Sequence, residues 1–393
     1  MEPLFWMSIL CLFHAYAGYG IIAWVRARLV RLSDRHTPAP LSGGEALPSV
    51  AFVIPAFNES DLIEEKVRES LAIDYPSGRL RVIVVTDGSD DGTADIVSRM
   101  PGVIHLHEPV RRGKAAAMNR ALEYAGEASV VCFSDANTRV APDALLRMVE
   151  WFRDSAVGAV AGEKWVRREE GSPVSGESAY WRYESLMKAL DAGMHSAVGA
   201  AGELFCVRRA LLEHIPEDTL LDDLHVSLNV CMKGYRIAYE PGAVAEEPPS
   251  RSFGDELQRK VRIAAGAFQS LVRFRSILLP WPRPVLTFQF VSRRLFRWVV
   301  CPLAIPVLFV ANLLMTTSIP VSAFYLATMA GQACFHALAV IGWMRARKGL
   351  ASPSILHLPF YFDLMHACMW MGFFRYLRGS QPVAWHRARR RVA

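Results

Sequence analysis

Residues 81–93 read RVIVVTDGSDDGT, a short apolar run, then a loop of Asp, Gly and Ser, then a Thr that opens a helical pattern near 93–99. Four-residue apolar runs bounded by turn residues are strands buried on both faces, and a following amphipathic stretch makes the unit strand, loop, helix. The unit recurs on either side. VAFVI (50–54), VIHLH (103–107) and SVVCF (129–133) are the other apolar runs, with helical patterns near 59–72, 113–125 and 142–153. This alternation predicts an α/β domain with a mostly parallel central sheet covered on both faces.

In such sheets ligands bind beyond the carboxyl ends of the strands. The residues there are Pro55, Asn58 and Glu59 after the first run, Asp87 to Thr93 after the second, and Asp135, Ala136 and Asn137 after the fourth. Carboxylates and amides therefore collect at one edge. A phosphate cradle wants glycines and N–H groups free of competing anions, whereas this loop holds three aspartates. It suits ribose hydroxyls, base N–H groups or a cation. G-x-G-x-x-G is absent, and Ala115 stands where a P-loop needs Ser or Thr after Gly113-Lys114, which excludes a nucleotide triphosphatase of that type.

Outside this domain the chain is apolar. Of 393 residues 52% are hydrophobic and 21% charged, and the mean hydropathy is +0.18, an average over two unlike parts. Residues 4–25 carry no charged side chain and precede Arg26, Arg28 and Arg31; ~20 such residues span a bilayer core. A cleaved signal would carry its basic residues before the apolar run. Apolar segments return near 295–317, 319–343 and 354–374, flanked by Arg293, Arg294 and Arg297 and by Arg345, Arg347 and Lys348. The segment 282–292 reads as an interfacial approach. The segment 354–374, broken by Asp363 and His366 and followed by an arginine-rich tail, reads equally as a span or an interfacial helix. The expected organisation is a membrane helix over 1–28, the α/β domain over 48–275, membrane segments over 280–378 and a basic tail over 379–393. Much of the net charge of +6 sits at membrane flanks, which points to phospholipid surfaces and away from nucleic acid. Seven scattered cysteines with no C-x-x-C give neither a disulfide framework nor a zinc site.

The ordered set VIPAFNES (53–60), VVTDGSDDGT (84–93), RRGKAAAMNRAL (111–122), FSDANT (133–138), GAAGELFCVRRALL (199–212) and DDLHVSLNVCMKGYRIAYEPGAVAEE (222–247) resembles the membrane-associated family-2 glycosyltransferases. The resemblance implies a GT-A nucleotide-sugar-binding fold flanked by transmembrane helices. It implies that Asp87 contacts the nucleotide base, that Lys114 meets the diphosphate, and that Pro55, Asn58, Glu59, Gly88 and Asn119 line the donor side. Asp135 would hold a divalent cation, Mg²⁺ or Mn²⁺, with Asn137 standing where the family has a second aspartate. Asp223, after Asp222, would be the catalytic base. Read alone, Asp87 is a turn former, Lys114 a solvated helix charge, Asp135 an Asx turn, and one of Asp222 and Asp223 a helix cap.

Processive members carry Q-x-x-R-W after the acidic pair; here Arg259-Lys260-Val261-Arg262-Ile263 keeps a basic residue, Arg262, that could reach the diphosphate, but no Trp to stack on a sugar. A basic membrane-facing helix explains the same residues. In YWRYE (180–184), the helical spacing of Tyr180, Tyr183 and Met187 favours core over sugar stacking. The expected protein is a bacterial inner-membrane enzyme with a cytoplasmic catalytic domain. It would transfer a sugar from a UDP-sugar to a lipid-linked or polysaccharide acceptor with inversion. A processive exopolysaccharide synthase and a non-catalytic nucleotide-sugar-binding subunit are the alternatives.

Overall fold

The computed structural model describes residues 1–33, 47–166, 177–200, 202–248, 253–317, 320, 322–350 and 352–384. Most of the arginine-rich tail lies outside them. The chain divides into two compact units, one of residues 26–167, 183–249 and 382–393, the other of residues 1–25, 168–182 and 250–381.

The first unit is built on eight strands: β1 (Val50–Ala56), β2 (Leu80–Asp87), β3 (Val103–Glu108), β4 (Val130–Ser134), β5 (Arg139–Val140), β6 (Val157–Val166), β7 (Leu204–Arg208) and β8 (Arg236–Glu247). They form one sheet in the order β3, β2, β1, β4, β7, β6, β8, β5. β1, β2, β3 and β4 run parallel, as the alternating pattern predicts. β7 is antiparallel to both β4 and β6, and β6 and β8 are parallel to each other. Every residue of β1 and β4 is buried, which is why both read as unbroken apolar runs. On one face Phe52, Ile54, Val84 and Cys132 pack with Ile63, Val67, Leu145 and Met148 from the covering helices. Burying each large side chain there is worth about 1.5–3 kcal/mol.

The second unit is helical. Among the described residues of the whole chain, three helices are long and apolar enough to cross a membrane: Glu2–Leu29, Pro284–Thr316 and Ala323–Arg347. Residues 284–292 of the segment expected as an interfacial approach form the first turns of the second of these, a helix that passes unbroken through a π-helical stretch, Val291–Val300, that carries the three arginines. Ser354–Leu377 is a further helix but not one of the three. Its Phe360, Leu364 and Cys368 pack on Phe253 and Val261, and its Met369 on Ala264, Ala267 and Phe268. A Cβ at Gly372 would lie 2.4 Å from that of Ala264, so glycine allows this close approach. These contacts place the helix Phe253–Arg273, read from sequence with the α/β domain, in the helical unit.

Candidate active site

The carboxyl ends of β1 and β2 are tied to each other. Asn58 adopts φ 53, a left-handed conformation that Asn tolerates. Its Nδ2 donates to Asp90 Oδ1 at 2.7 Å and its Oδ1 accepts the Asp90 N–H at 3.0 Å. Alongside, the Ser60 N–H donates to Asp91 Oδ2 at 3.0 Å and the Glu59 N–H to Thr93 Oγ1 at 2.8 Å. Two of the three loop aspartates are thus engaged in joining loops. Pro55 lies inside β1, past the last register pair with β4, where the missing N–H comes at the end of a ladder.

Asp87 ends β2 and is wholly buried. Its Oδ2 accepts the Gly113 N–H at 2.6 Å and the Arg112 N–H at 3.1 Å, and its Oδ1 accepts from Arg120 Nη2 at 2.8 Å. Asp87 thus binds the turn that opens the helix Lys114–Tyr124 and, through Arg120, the second turn of that helix. Gly88, at φ +70, lies against the same loop: a Cβ there would come within 2.6 Å of the Arg111 Cβ and 2.7 Å of its backbone nitrogen. This close approach, together with the positive φ, accounts for the glycine.

The turn so fixed aims Lys114 at the acidic edge. Its Nζ donates to Asp135 Oδ1 at 2.7 Å and lies 3.2 Å from Asp222 Oδ2. Asp135 follows β4 on a tight turn closed by Thr138, whose hydroxyl donates to the Asp135 carbonyl at 2.9 Å; Asn137 is at the half-buried tip of that turn. Asp222 and Asp223 open the helix Asp222–Met232, where exposed N–H groups favour anions, and the Leu224 N–H donates to Asp223 Oδ1 at 2.7 Å. A Cβ at Gly202 would stand 3.4 Å from Asp223 Oδ2 and 3.5 Å from Lys114 Nζ, so these two groups flank one small space.

Burial and then the charge of Asp222 push the Asp223 carboxyl up to about 7, against the pull of Lys114 and the Leu224 N–H. Burial likewise raises Asp135, opposed by Lys114 and reinforced by Glu203. For Lys114, burial acts to lower the ammonium, but Asp135 and Asp222 outweigh it and hold it above the ordinary lysine value. A carboxyl shifted towards neutrality beside a fixed cation is the arrangement that general-base chemistry uses.

Among the described residues no group of three or more His, Cys, Asp or Glu is placed to hold a metal ion. The oxygens present nonetheless fit a hard divalent cation that shares its ligands with phosphate. Asp222 Oδ2 is buried and has Lys114 Nζ at 3.2 Å as its ion-pair partner, and Asp135 and Asn137 offer a carboxylate and an amide.

The Asn119 amide is held by the main chain of Ile215, donating to its carbonyl at 2.8 Å and accepting its N–H at 2.9 Å, with His214 Nε2 3.2 Å from its Nδ2, so it fastens a strap. Arg262 is on Phe253–Arg273 in the helical unit, beside Lys260, whose Nζ donates to the Tyr361 hydroxyl at 2.6 Å. Tyr180 belongs to that unit as well, its ring 5.3 Å from that of Tyr361, while Met187 is core. The sequence reading missed four residues. Arg120 holds Asp87; Gly202 opens the shared space; Glu203 pairs, with Glu247, to the wholly buried Lys164; and Lys66 lies under the Asp135 turn. Lys66 alone had a signal, since it completes the stripe Ile63, Lys66, Val67, Ser70 at core spacing.

Comparison with known proteins places this architecture. The family described as "Glycosyltransferase like family 2" matches residues 48–266. Poly-β-1,6-N-acetyl-D-glucosamine synthases of Staphylococcus aureus are 30% identical over 240 residues, which are 58% of this chain and 57% of the relative. The Staphylococcus epidermidis counterpart is 27% identical over 241 residues. The match therefore spans little more than half the length of these relatives. Among solved structures, a mannosyltransferase from Pyrobaculum calidifontis in complex with GDP-Man and Mn²⁺ superposes with a TM-score of 0.72 at 25% identity, over 95% of this chain and 99% of that one. Because the family match runs from before the first strand of the sheet to beyond the last, the chain belongs to the family-2 glycosyltransferases and has their GT-A fold.

Proposed function

We propose that the protein transfers a sugar from a nucleotide diphosphate sugar to a hydroxyl of a lipid-linked or polysaccharide acceptor, with inversion at the anomeric carbon. The observation that carries this reading is the meeting of Asp223, Lys114, Asp135 and Asp222 at one edge, with Asp223 raised to about 7. Asp223 takes the proton of the acceptor hydroxyl as its oxygen attacks the anomeric carbon. The bond from that carbon to the diphosphate breaks, and its electron pair leaves with the phosphate oxygen. Lys114 presents its charge to the diphosphate. Asp87 acts one step back, by holding the Gly113 turn that aims Lys114. Asp135 and Asn137 would hold Mg²⁺ or Mn²⁺, which would supply charge neutralisation for the departing diphosphate.

UDP-sugars and GDP-sugars are the donors to compare. The Staphylococcus relatives are named for an N-acetylglucosamine polymer and the Pyrobaculum protein is complexed with GDP-Man. The polymer-making relatives favour processive synthesis as a second reading. The stretch Arg259–Ile263, without the Gln and Trp of Q-x-x-R-W, favours single transfers. Retention of Asp223 argues against a non-catalytic subunit. Three apolar helices among the described residues, with Arg26 and Arg28 in the last turns of the first, support a bacterial inner-membrane protein with the sheet unit in the cytoplasm.

The test is release of nucleoside diphosphate by the full chain in detergent, across a panel of UDP- and GDP-sugars with Mn²⁺ and membrane extract as acceptor. Release that depends on Asp223 supports the reading; equal release by Asp223→Asn rejects it. Mass spectrometry of the product separates one added sugar from a growing chain.

A further inference from the structure

Lys66 is 3% exposed, on the inner face of the helix Ile63–Leu71. Its Nζ donates to Ser134 Oγ at 2.7 Å and to the Thr138 carbonyl at 2.8 Å, with Thr138 Oγ1 at 3.4 Å. Ser134 and Thr138 are the two ends of the turn that carries Asp135. They are bonded onward: Ser134 Oγ lies 3.1 Å from Thr138 Oγ1 and donates to the Glu203 carbonyl at 3.1 Å, and Thr138 Oγ1 donates to the Asp135 carbonyl at 2.9 Å. One ammonium thus ties together a helix, the turn after β4 and the residue that follows Gly202.

This is a costly way to fill a core position. Ile63, Val67 and Ser70 share the buried stripe, and an apolar side chain would suit the space between them. A buried ammonium bonded only to neutral oxygens carries a desolvation penalty that a simple core residue does not. Burial lowers the Lys66 ammonium to about 8, and the charges of Asp135 and Glu69 act in the opposite direction. The charge of Lys66 therefore lies in the field of Asp135, against the two ends of its turn.

We propose that Lys66 is a positioning residue for Asp135: it fixes both ends of the Asp135 turn and lends positive charge behind it, so that the carboxylate stands ready for a divalent cation. This rests on the reading of Asp135 as a cation ligand. Groups that orient a ligand in this manner typically change metal affinity by about 10–100-fold when removed.

Mn²⁺ binding to the detergent-purified full chain, followed by electron paramagnetic resonance of free Mn²⁺, tests it without reference to turnover. Wild type, Asp135→Asn and Lys66→Met are titrated side by side, with the melting transition as a control for folding. The expected result is loss of the site in Asp135→Asn and at least about tenfold weaker binding in Lys66→Met with a retained melting transition. Donor KM should rise more than kcat falls. If wild type and Asp135→Asn bind Mn²⁺ alike, the cation reading fails and takes the Lys66 role with it. If Asp135→Asn loses the site while folded Lys66→Met binds as wild type, the role of Lys66 alone is rejected. Should Lys66→Met not fold, the double variant Ser134→Ala with Thr138→Val removes both hydroxyl contacts and keeps the ammonium. Weaker Mn²⁺ binding then supports the proposal, and unchanged binding overturns it.

Discussion

Asp87 accepts the Gly113 N–H at 2.6 Å, a bond that joins the end of β2 to the residue before Lys114. Asn at position 87 would turn an amide N–H₂ towards N–H groups or the Arg120 guanidinium, leaving a buried donor without an acceptor. Asp87→Asn is expected to cost about 1–3 kcal/mol of stability, read as a lower melting temperature of the purified chain. Donor KM should rise with it, because Lys114 is no longer aimed. An unchanged KM would separate Asp87 from donor binding.

Asp223→Asn should lower kcat by about 10²–10⁴-fold and leave donor KM within a few-fold, since it removes a proton acceptor and little binding surface. In wild type the base must be ionised to work. With the Asp223 carboxyl at about 7, kcat should climb as pH rises from 6 to 8, by about tenfold, and then level. Stability runs the other way. A carboxyl raised in the folded state favours folding when protonated, so its contribution is present below about pH 4 and fades as pH rises through about 7. A flat kcat profile from pH 6 to 8 would count against Asp223 as the base.

Gly88→Ala meets both a positive φ and the Arg111 backbone. The expected cost is at least about 1 kcal/mol, with reduced donor affinity from displacement of the Arg111–Gly113 loop. Thermal melting with and without nucleoside diphosphate measures both.

Removal of divalent cations by EDTA should reduce donor turnover by at least about tenfold, and added Mn²⁺ should restore it. Asp135→Ala is expected to stay low at any Mn²⁺ concentration. Full activity in EDTA would show that Lys114 suffices to neutralise the diphosphate.

The parallel half of the sheet was legible because β1, β2 and β4 are buried on both faces and so present continuous apolar runs. The other half was not. β6 carries Glu163 and Lys164 in its buried span, and Lys164 is tolerable only because Glu203 and Glu247, far away in sequence, close on it. No local pattern announces such a pairing. The antiparallel turn of β7 was hidden for a similar reason, since direction is decided by register with β4 and not by composition. Within the site, the positions of Asp87, Asp135 and Asp223 at element ends could be read in advance. Their partners could not: Arg120 reaches Asp87 from the outer turns of a helix, and Asn58 and Asn119 spend their amides on protein. In the helical unit, three arginines interrupted the apolar pattern of a helix that is unbroken in space.

Cys132 and Cys206 are register partners on β4 and β7, both without exposed surface, and burial pushes the Cys206 thiol up. A maleimide reagent can reach neither until the two strands part, so the rate at which it modifies them counts openings of the sheet. Timed labelling in intact membranes, resolved by peptide mass, would then clock the breathing of the catalytic unit while the helices stay in lipid, a measurement that bulk denaturation cannot make.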